Sequence, residues 1–75
     1  MLQDGMKYKD GFGVEHTVMG TTKNNPDWVW TVQGCWYRRS DGRRIQYLAV
    51  DKSKPDGNRR HVAADRASSW DLIVK

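Results

Sequence analysis

The chain has 75 residues, a formal net charge of +4 and a hydrophobic content of 37%, with four Trp, three Tyr and one Phe among its apolar side chains. This length excludes a second core and the single cysteine excludes an intrachain disulfide, so we expect one folded domain over residues 1–75 in a reducing compartment. The lack of an apolar stretch long enough for a membrane helix or a signal core predicts a cytoplasmic location and no membrane contact.

Short extended segments separated by Gly, Asp and Asn fill the first third of the chain. The Asp10-Gly11 pair predicts a tight turn between two extended pieces within residues 7–14. Residues 14–19 form a second extended segment. Residues 20–27 contain Thr, Asn and Pro and predict a loop.

Residues 28–37 give the strongest strand prediction, because β-branched and aromatic side chains fill them. Gly34 within this run marks a bulge or a close backbone approach, at which a long strand bends. Since side chains alternate along a strand, Trp36 and Tyr37 cannot face the same core, and we expect at least one of them to be half exposed.

A second hairpin is predicted where Ser40-Asp41-Gly42 joins that strand to residues 45–50. A two-residue loop would place Arg39 opposite Arg44 and Trp36 opposite Tyr47. A three-residue loop with a left-handed Gly42 would shift this register by one, and the sequence leaves the two registers open.

The last third contains a polar loop over residues 51–60, a segment compatible with one short helical turn near residues 62–68, and a final strand over residues 70–74. The pattern as a whole predicts a mainly β fold. We expect a small single-domain barrel, or a strongly twisted antiparallel sheet, of four or five strands. A twisted sheet with one helix packed across it is the alternative.

Three motifs carry a resemblance to a known family. They are the Asp-Gly-Phe-Gly of residues 10–13, the Trp-Tyr-Arg-Arg-Ser-Asp-Gly-Arg of residues 36–43 and the Ser-Trp-Asp-Leu of residues 69–72. In this layout the chain resembles small phage and prophage proteins with a Src-homology-type, Tudor-like β-barrel. The resemblance implies a small barrel and a viral source, and it transfers no catalytic residue.

Positive charge is concentrated between Arg38 and Arg60, where eight basic and three acidic residues give +5 and leave −1 for the rest of the chain. Four arginines crowd one predicted hairpin tip, namely Arg38, Arg39, Arg43 and Arg44. This asymmetry favours an anionic partner, and a solvated basic loop is the alternative.

Residues for catalysis or metal binding are sparse. Cys35, His61 and Asp65 form a nucleophilic triad on paper only, because Cys35 lies within the most apolar predicted strand, where a buried and inert thiol is usual. No His or Cys pair has the spacing of a structural zinc site. We therefore expect neither an enzyme nor a cofactor.

The leading functional hypothesis is a phage-type binding module for nucleic acid, in which arginines contact phosphates and Trp36 or Tyr37 stacks on bases. One alternative is a modulator that docks on an acidic surface of a host protein complex, and another is an accessory structural subunit that self-associates. The sequence does not determine the oligomeric state. The predicted binding residues are Arg38, Arg39, Arg43, Arg44, Trp36, Tyr37, Arg59 and Arg60.

Overall fold

A computed structural model describes residues 1–23, 25–49, 53 and 58–74. Within these residues the chain forms six strands and no helix. The strands are β1 (Lys7–Lys9), β2 (Glu15–Thr21), β3 (Trp28–Thr31), β4 (Trp36–Arg38), β5 (Ile45–Ala49) and β6 (Arg59–Ala63). The first four make a curled antiparallel sheet in chain order, and β5 and β6 make a separate two-stranded ribbon. The predicted mainly β fold, a small barrel or strongly twisted antiparallel sheet, is confirmed, and the described residues form six strands where four or five were expected.

The first hairpin forms where the Asp10-Gly11 pair predicts it, with a longer turn than expected. Lys9 pairs with Glu15, so residues 10–14 make the connection. The Asp10 carboxylate accepts hydrogen bonds from the backbone N–H groups of Phe12 and Val14, at 2.9 and 3.0 Å. The Asp10 carboxylate thus satisfies backbone N–H groups that the turn leaves without a cross-strand partner.

The predicted continuous strand over residues 28–37 is wrong, because the run folds back on itself as β3 and β4. Gly34 is the reason, since its φ of +86° is a left-handed conformation that reverses the chain at low cost. The Thr31 N–H donates to the Cys35 carbonyl at 2.9 Å, and the Thr31 Oγ1 accepts a hydrogen bond from the Cys35 N–H. The glycine therefore marks a hairpin turn rather than a bulge.

The hairpin at Asp41-Gly42 has a register that neither predicted loop gives. Tyr37 pairs with Arg44 in an isolated bridge, and the Arg38 N–H donates to the Arg43 carbonyl at 2.7 Å. Arg38 therefore faces Arg43. Asp41 sets this geometry, because its Oδ1 accepts from the Arg43 N–H at 3.0 Å while its carboxylate pairs with the Arg38 guanidinium.

The ribbon replaces the helical turn that was expected near residues 62–68. β6 pairs antiparallel with β5 over five positions, from Ile45 opposite Ala63 to Ala49 opposite Arg59. Cross-strand pairing thus occupies residues 59–63, and residues 64–68 have no regular structure. Most of the predicted loop over residues 51–60 lies outside the described residues, as does position 50, the predicted end of β5.

The predicted final strand over residues 70–74 reduces to one bridge, between Leu72 and Asp10. Two backbone hydrogen bonds extend it. The Ile73 N–H donates to the Lys9 carbonyl and the Leu72 N–H to the Gly42 carbonyl, both at 2.9 Å. This segment therefore fastens the first hairpin to the Asp41-Gly42 turn.

The buried core lies on one face of the curled sheet and is built from residues far apart in the chain. Full burial of a large apolar side chain stabilises a fold by about 1.5–3 kcal/mol, so a few such residues account for much of the stability of a small domain. No described segment forms a helix able to cross a membrane. The core residues are Leu2, Val18, Val29, Tyr37 and Leu72.

Candidate nucleic-acid interface

The outer face of the sheet and ribbon carries a row of rings that we call the aromatic ladder, made of Trp28, Trp36, His61 and Tyr47. The ring centroids of Trp28 and Trp36 are 6.3 Å apart, those of Trp36 and His61 are 4.0 Å apart, and those of His61 and Tyr47 are 4.7 Å apart. Tyr47 is exposed and the other three are half-buried. The ladder therefore presents ring faces and edges on the outside of the fold.

Strand register explains the ladder. Trp30 lies opposite Trp36, and Tyr47 lies opposite His61, so the members of each pair point to one face. The alternation that turns Val29 into the core turns Trp28 and Trp30 outward. The bridge from β4 to the ribbon brings the two aromatic sets side by side.

Two open pockets flank Trp36. The first has a volume of about 490 Å³ and lies between β4 and the ribbon, with Trp36, His61, Tyr47, Ile45 and Gln46 among its walls. The second, of about 380 Å³, has Trp30 and Lys23 among its walls on the other side. Trp36 is the aromatic side chain that lines both pockets, and it also contacts Trp28 and His61, so it is the central ring of the site.

Positive side chains border the ladder. Arg38 lies opposite Trp28 across the β3–β4 pair, and Arg59 lies two residues before His61 on β6, on the same face. Arg44 lines the first pocket. The hydrogen bond from Arg38 is the main cause that lowers the pKa of Asp41 to about 2. The Asp41 carboxylate is therefore ionised at neutral pH and is the counter-charge of the Arg38 guanidinium.

The remaining predicted arginines do not gather at the hairpin tip. Arg39 donates to the Leu2 carbonyl at 2.8 Å and to the Asp4 carboxylate at 2.7 Å, which ties the N-terminal segment to β4. Arg43 donates to two backbone carbonyls of residues 64 and 65, both at 3.2 Å. Arg60 lies on the opposite face of the ribbon from His61. Arg39 and Arg43 thus hold the fold together.

Of the two predicted stacking residues, only Trp36 is accessible. Tyr37 is 2% exposed and belongs to the core. Burial raises the pKa of its hydroxyl above the ordinary value. The pair divides as alternation requires, with Trp36 on the outer face and Tyr37 inside.

A second exposed aromatic cluster lies at the first hairpin turn. Phe12 and Trp70 meet edge to face with centroids 4.8 Å apart, and both are more than half exposed. The Arg44 guanidinium lies 5.0 Å above the Trp70 ring. Paired exposed aromatics with an arginine are typical of protein-binding hot spots.

A buried ionisable pair lies beneath that turn. His16 Nε2 is 3.0 Å from Asp10 Oδ2, and both side chains are buried. The hydrogen bond from His16 lowers the pKa of Asp10, so Nε2 donates to a carboxylate. His16 Nδ1 has no hydrogen-bond partner among the described residues, and the His16 ring contacts Tyr37. The pair is closed to ligands and serves the first hairpin.

The nucleophilic triad drawn from the sequence is not assembled in the described part of the chain. Cys35 lies in the β3–β4 turn, half-buried, and it lines the first pocket together with His61, but no hydrogen bond joins them. The position within a strand that was expected for this thiol is therefore wrong, and its side chain is partly buried against the core. Asp65 is exposed, and its carbonyl accepts from Arg43. No three potential metal ligands cluster among the residues described.

Sequence reasoning missed Trp28, Trp30, Tyr47 and His61 as parts of one site. Trp28 and Trp30 offered a signal, since their alternation with buried Val29 places both on one face. Tyr47 and His61 offered none, because their pairing depends on the β5–β6 register across a long polar connection.

Comparison of the chain with models of known families, with curated proteins and with solved structures finds no match. The class of protein is therefore defined by the structure alone. Its described residues form a small all-strand domain with an aromatic outer face.

Proposed function

We propose that this chain is a small non-enzymatic module that binds single-stranded nucleic acid across the aromatic ladder. The observation that carries the proposal is the ring row through Trp36, with a pocket on each side and arginines at its border. Bases stack on aromatic side chains regardless of sequence, and neighbouring cations neutralise the phosphates. We further propose that the module is of phage type and acts in the cytoplasm.

The geometry favours a single strand over a duplex. Stacked bases in a duplex offer no free ring faces, whereas a single strand can place a base in each pocket beside Trp36. The ladder also crosses from β4 to the ribbon. Since the Trp36, His61 and Tyr47 rings lie against one another, a strand would follow the exposed outer surface of this row. Arg38 and Arg59 border the row and suit a backbone that follows it.

Fluorescence anisotropy with a labelled single-stranded oligonucleotide at two salt concentrations tests the proposal. Stacking contributes about 1–3 kcal/mol per base, so we expect Trp36→Ala to weaken binding by about 5-fold to 150-fold. Trp36→Phe keeps an aromatic face and should retain most of the affinity. Phe12→Ala removes an exposed aromatic side chain outside the ladder; it is the control variant and should bind as the wild type does.

The charge part of the proposal is tested by comparing Arg59→Ala with Arg39→Ala. Each phosphate contact contributes about 0.7 to the slope of log affinity against log salt for a single strand. Loss of Arg59 should lower the slope by about that amount, whereas loss of Arg39, which faces Leu2 and Asp4, should leave it unchanged. Absence of binding to DNA and RNA strands at low salt, or full affinity in Trp36→Ala, would contradict the proposal.

The cluster of Phe12, Trp70 and Arg44 favours a second candidate function, docking on an acidic surface of a host protein complex. In that case a host protein should co-purify in stoichiometric amount. The double variant Phe12→Ala/Trp70→Ala should lose it, and Trp36→Ala should keep it. The same variants thus separate the two functions.

A further inference from the structure

We propose that β6 is a docking edge for an extended acidic segment of a partner protein, which adds to the ribbon as a third strand. The proposal goes beyond nucleic-acid binding and uses a different surface, since the ladder lies on the ribbon face that carries Tyr47 and His61. It depends on three observations: the unpaired outer edge of β6, the side chains on the other ribbon face, and the positive charge at the start of the strand.

The outer edge of β6 has no backbone partner among the residues that the structure describes. The Ala64 N–H donates to the Arg44 carbonyl at 2.9 Å, which continues the β5–β6 register by one bonded pair. Because bonded and non-bonded pairs alternate in an antiparallel ladder, the N–H and C=O groups of Arg59, His61 and Ala63 point away from β5. None of them has a hydrogen bond to a described residue. β6 therefore presents donors and acceptors at the two-residue spacing with which an added strand pairs.

The edge of the curled sheet differs from this one. β1 is partly covered by the C-terminal segment, because the Ile73 N–H donates to the Lys9 carbonyl at 2.9 Å. Natural proteins cover, shorten or charge an exposed strand edge, since unpaired backbone groups attract other chains. On β6 the protection is charge, from Arg59 and Arg60. Such an edge rejects positively charged chains and accepts negatively charged ones.

The ribbon face opposite the ladder supplies side-chain contacts. Alternation puts Arg60 and Val62 of β6 on this face. Their cross-strand neighbours on β5 are Leu48 and Gln46. Arg60 is exposed, Leu48 is 44% exposed and Val62 is half-buried. An added strand would place one side chain beside Arg60 and another beside Val62, so this face fits an acidic and an apolar residue two positions apart.

Charge identifies the occupant as acidic. Neither Arg59 nor Arg60 has an ion pair or a hydrogen bond to any described residue. Opposite charges on neighbouring strands are stabilising and like charges are destabilising. The net charge of +4 works against a second copy of this chain as the occupant. A segment with Asp or Glu beside Arg60 is therefore favoured.

Fluorescence anisotropy with a labelled peptide that contains Thr-Val-Thr-Glu-Thr tests the proposal. In the antiparallel register, which is the more stable one, its Glu lies beside Arg60 and its Val beside Val62. N-methylation of the three Thr residues removes the N–H groups that face β6, so it should abolish binding. N-methylation of the Val and Glu, whose N–H groups face away, leaves the same charge and is the matched control that should still bind.

Variants of the chain test the same contacts from the other side. Arg60→Glu should weaken binding of the peptide at least about 3-fold, and a peptide with Lys in place of Glu should restore it. Lys9→Glu, an equal change of charge on β1, should bind as the wild type does. Ala63→Pro removes one outward N–H and keeps the pairing with β5, so it should weaken binding by about 2-fold to 12-fold. Thermal unfolding checks that each variant is folded.

The outcomes separate this proposal from nucleic-acid binding. Trp36→Ala should keep peptide affinity and Ala63→Pro should keep oligonucleotide affinity. Absence of peptide binding, equal affinity of the two N-methylated peptides, or failure of the Lys peptide to restore binding to Arg60→Glu would overturn the docking edge while strand binding stands. Analytical ultracentrifugation of the chain alone gives the last test. A dimer that Ala63→Pro dissociates would assign the edge to a second copy and overturn the acidic segment.

Discussion

Replacing Gly42 with alanine tests how the Leu72 segment is held against the Asp41-Gly42 turn. Gly42 has a φ of +76°, and an added Cβ would lie 2.4 Å from the Leu72 carbonyl oxygen and 2.9 Å from Val74 Cγ2. The first contact is with backbone, so the side chain cannot simply rotate away. Gly13 has a φ of +84° with open space around it, which makes Gly13→Ala the matched control.

The expected magnitudes follow from these contacts. Gly13→Ala costs only the left-handed conformation, about 1–2 kcal/mol. Gly42→Ala costs the same and also displaces Leu72, which loses a backbone hydrogen bond, about 0.5–1.5 kcal/mol. Leu72 also loses part of its apolar burial, and full burial of such a side chain contributes about 1.5–3 kcal/mol. We therefore expect Gly42→Ala to destabilise the domain by about 2–5 kcal/mol, a large part of the stability of a domain of this size.

Thermal and urea unfolding followed by tryptophan fluorescence measures both variants. Each kcal/mol lowers Tm by roughly 4–8 °C in a domain of this size, so Gly13→Ala should still show a clear transition. Gly42→Ala should be largely unfolded at room temperature. Equal Tm values for the two variants would refute the argument that the Leu72 segment packs against this turn.

Two further predictions concern ion pairs. Asp10 is hydrogen-bonded by His16 and Asp41 is paired with Arg38, and the folded-state pKa of each carboxyl lies below its unfolded value. The stabilisation by each pair is therefore complete above the unfolded pKa, near pH 4. It is lost as the pH falls through the folded-state pKa. Urea unfolding at several acidic pH values should show this loss, and Asp10→Asn should flatten the curve; an unchanged curve in that variant would count against the pair. Arg39→Ala should lower the free energy of unfolding by about 1–3 kcal/mol while oligonucleotide binding is unchanged, and weaker binding by the folded variant would show that Arg39 contacts the ligand.

Local chemistry made part of this fold predictable. Asp10-Gly11 and Asp41-Gly42 gave hairpins where they were expected, because the side chain that accepts the turn hydrogen bonds is adjacent in sequence. The division of Trp36 from Tyr37 followed from alternation alone. In each case the determining contact lies within a few residues.

The predictions that were wrong concern segments whose structure depends on residues far away in the sequence or on the backbone conformation. Gly34 lies in a run of strand formers, and only its left-handed φ shows a turn. A helical turn was expected near residues 62–68, but pairing with β5 holds Val62 and Ala63 in a strand. The partners of Arg39, Leu2 and Asp4, lie near the N-terminal end of the chain, so no neighbour in sequence distinguished Arg39 from the arginines that border the ladder.

The joining of Leu2 and Leu72 in one core has a consequence for folding speed. Both side chains are almost fully buried in the cluster that also contains Val18 and Val29. The entropy of closing so long a loop is lost before the apolar contacts form, and domains dominated by such contacts fold in milliseconds to seconds rather than microseconds. During synthesis the separate hairpins can form early. The native core, however, has to await the emergence of Leu72 from the ribosome.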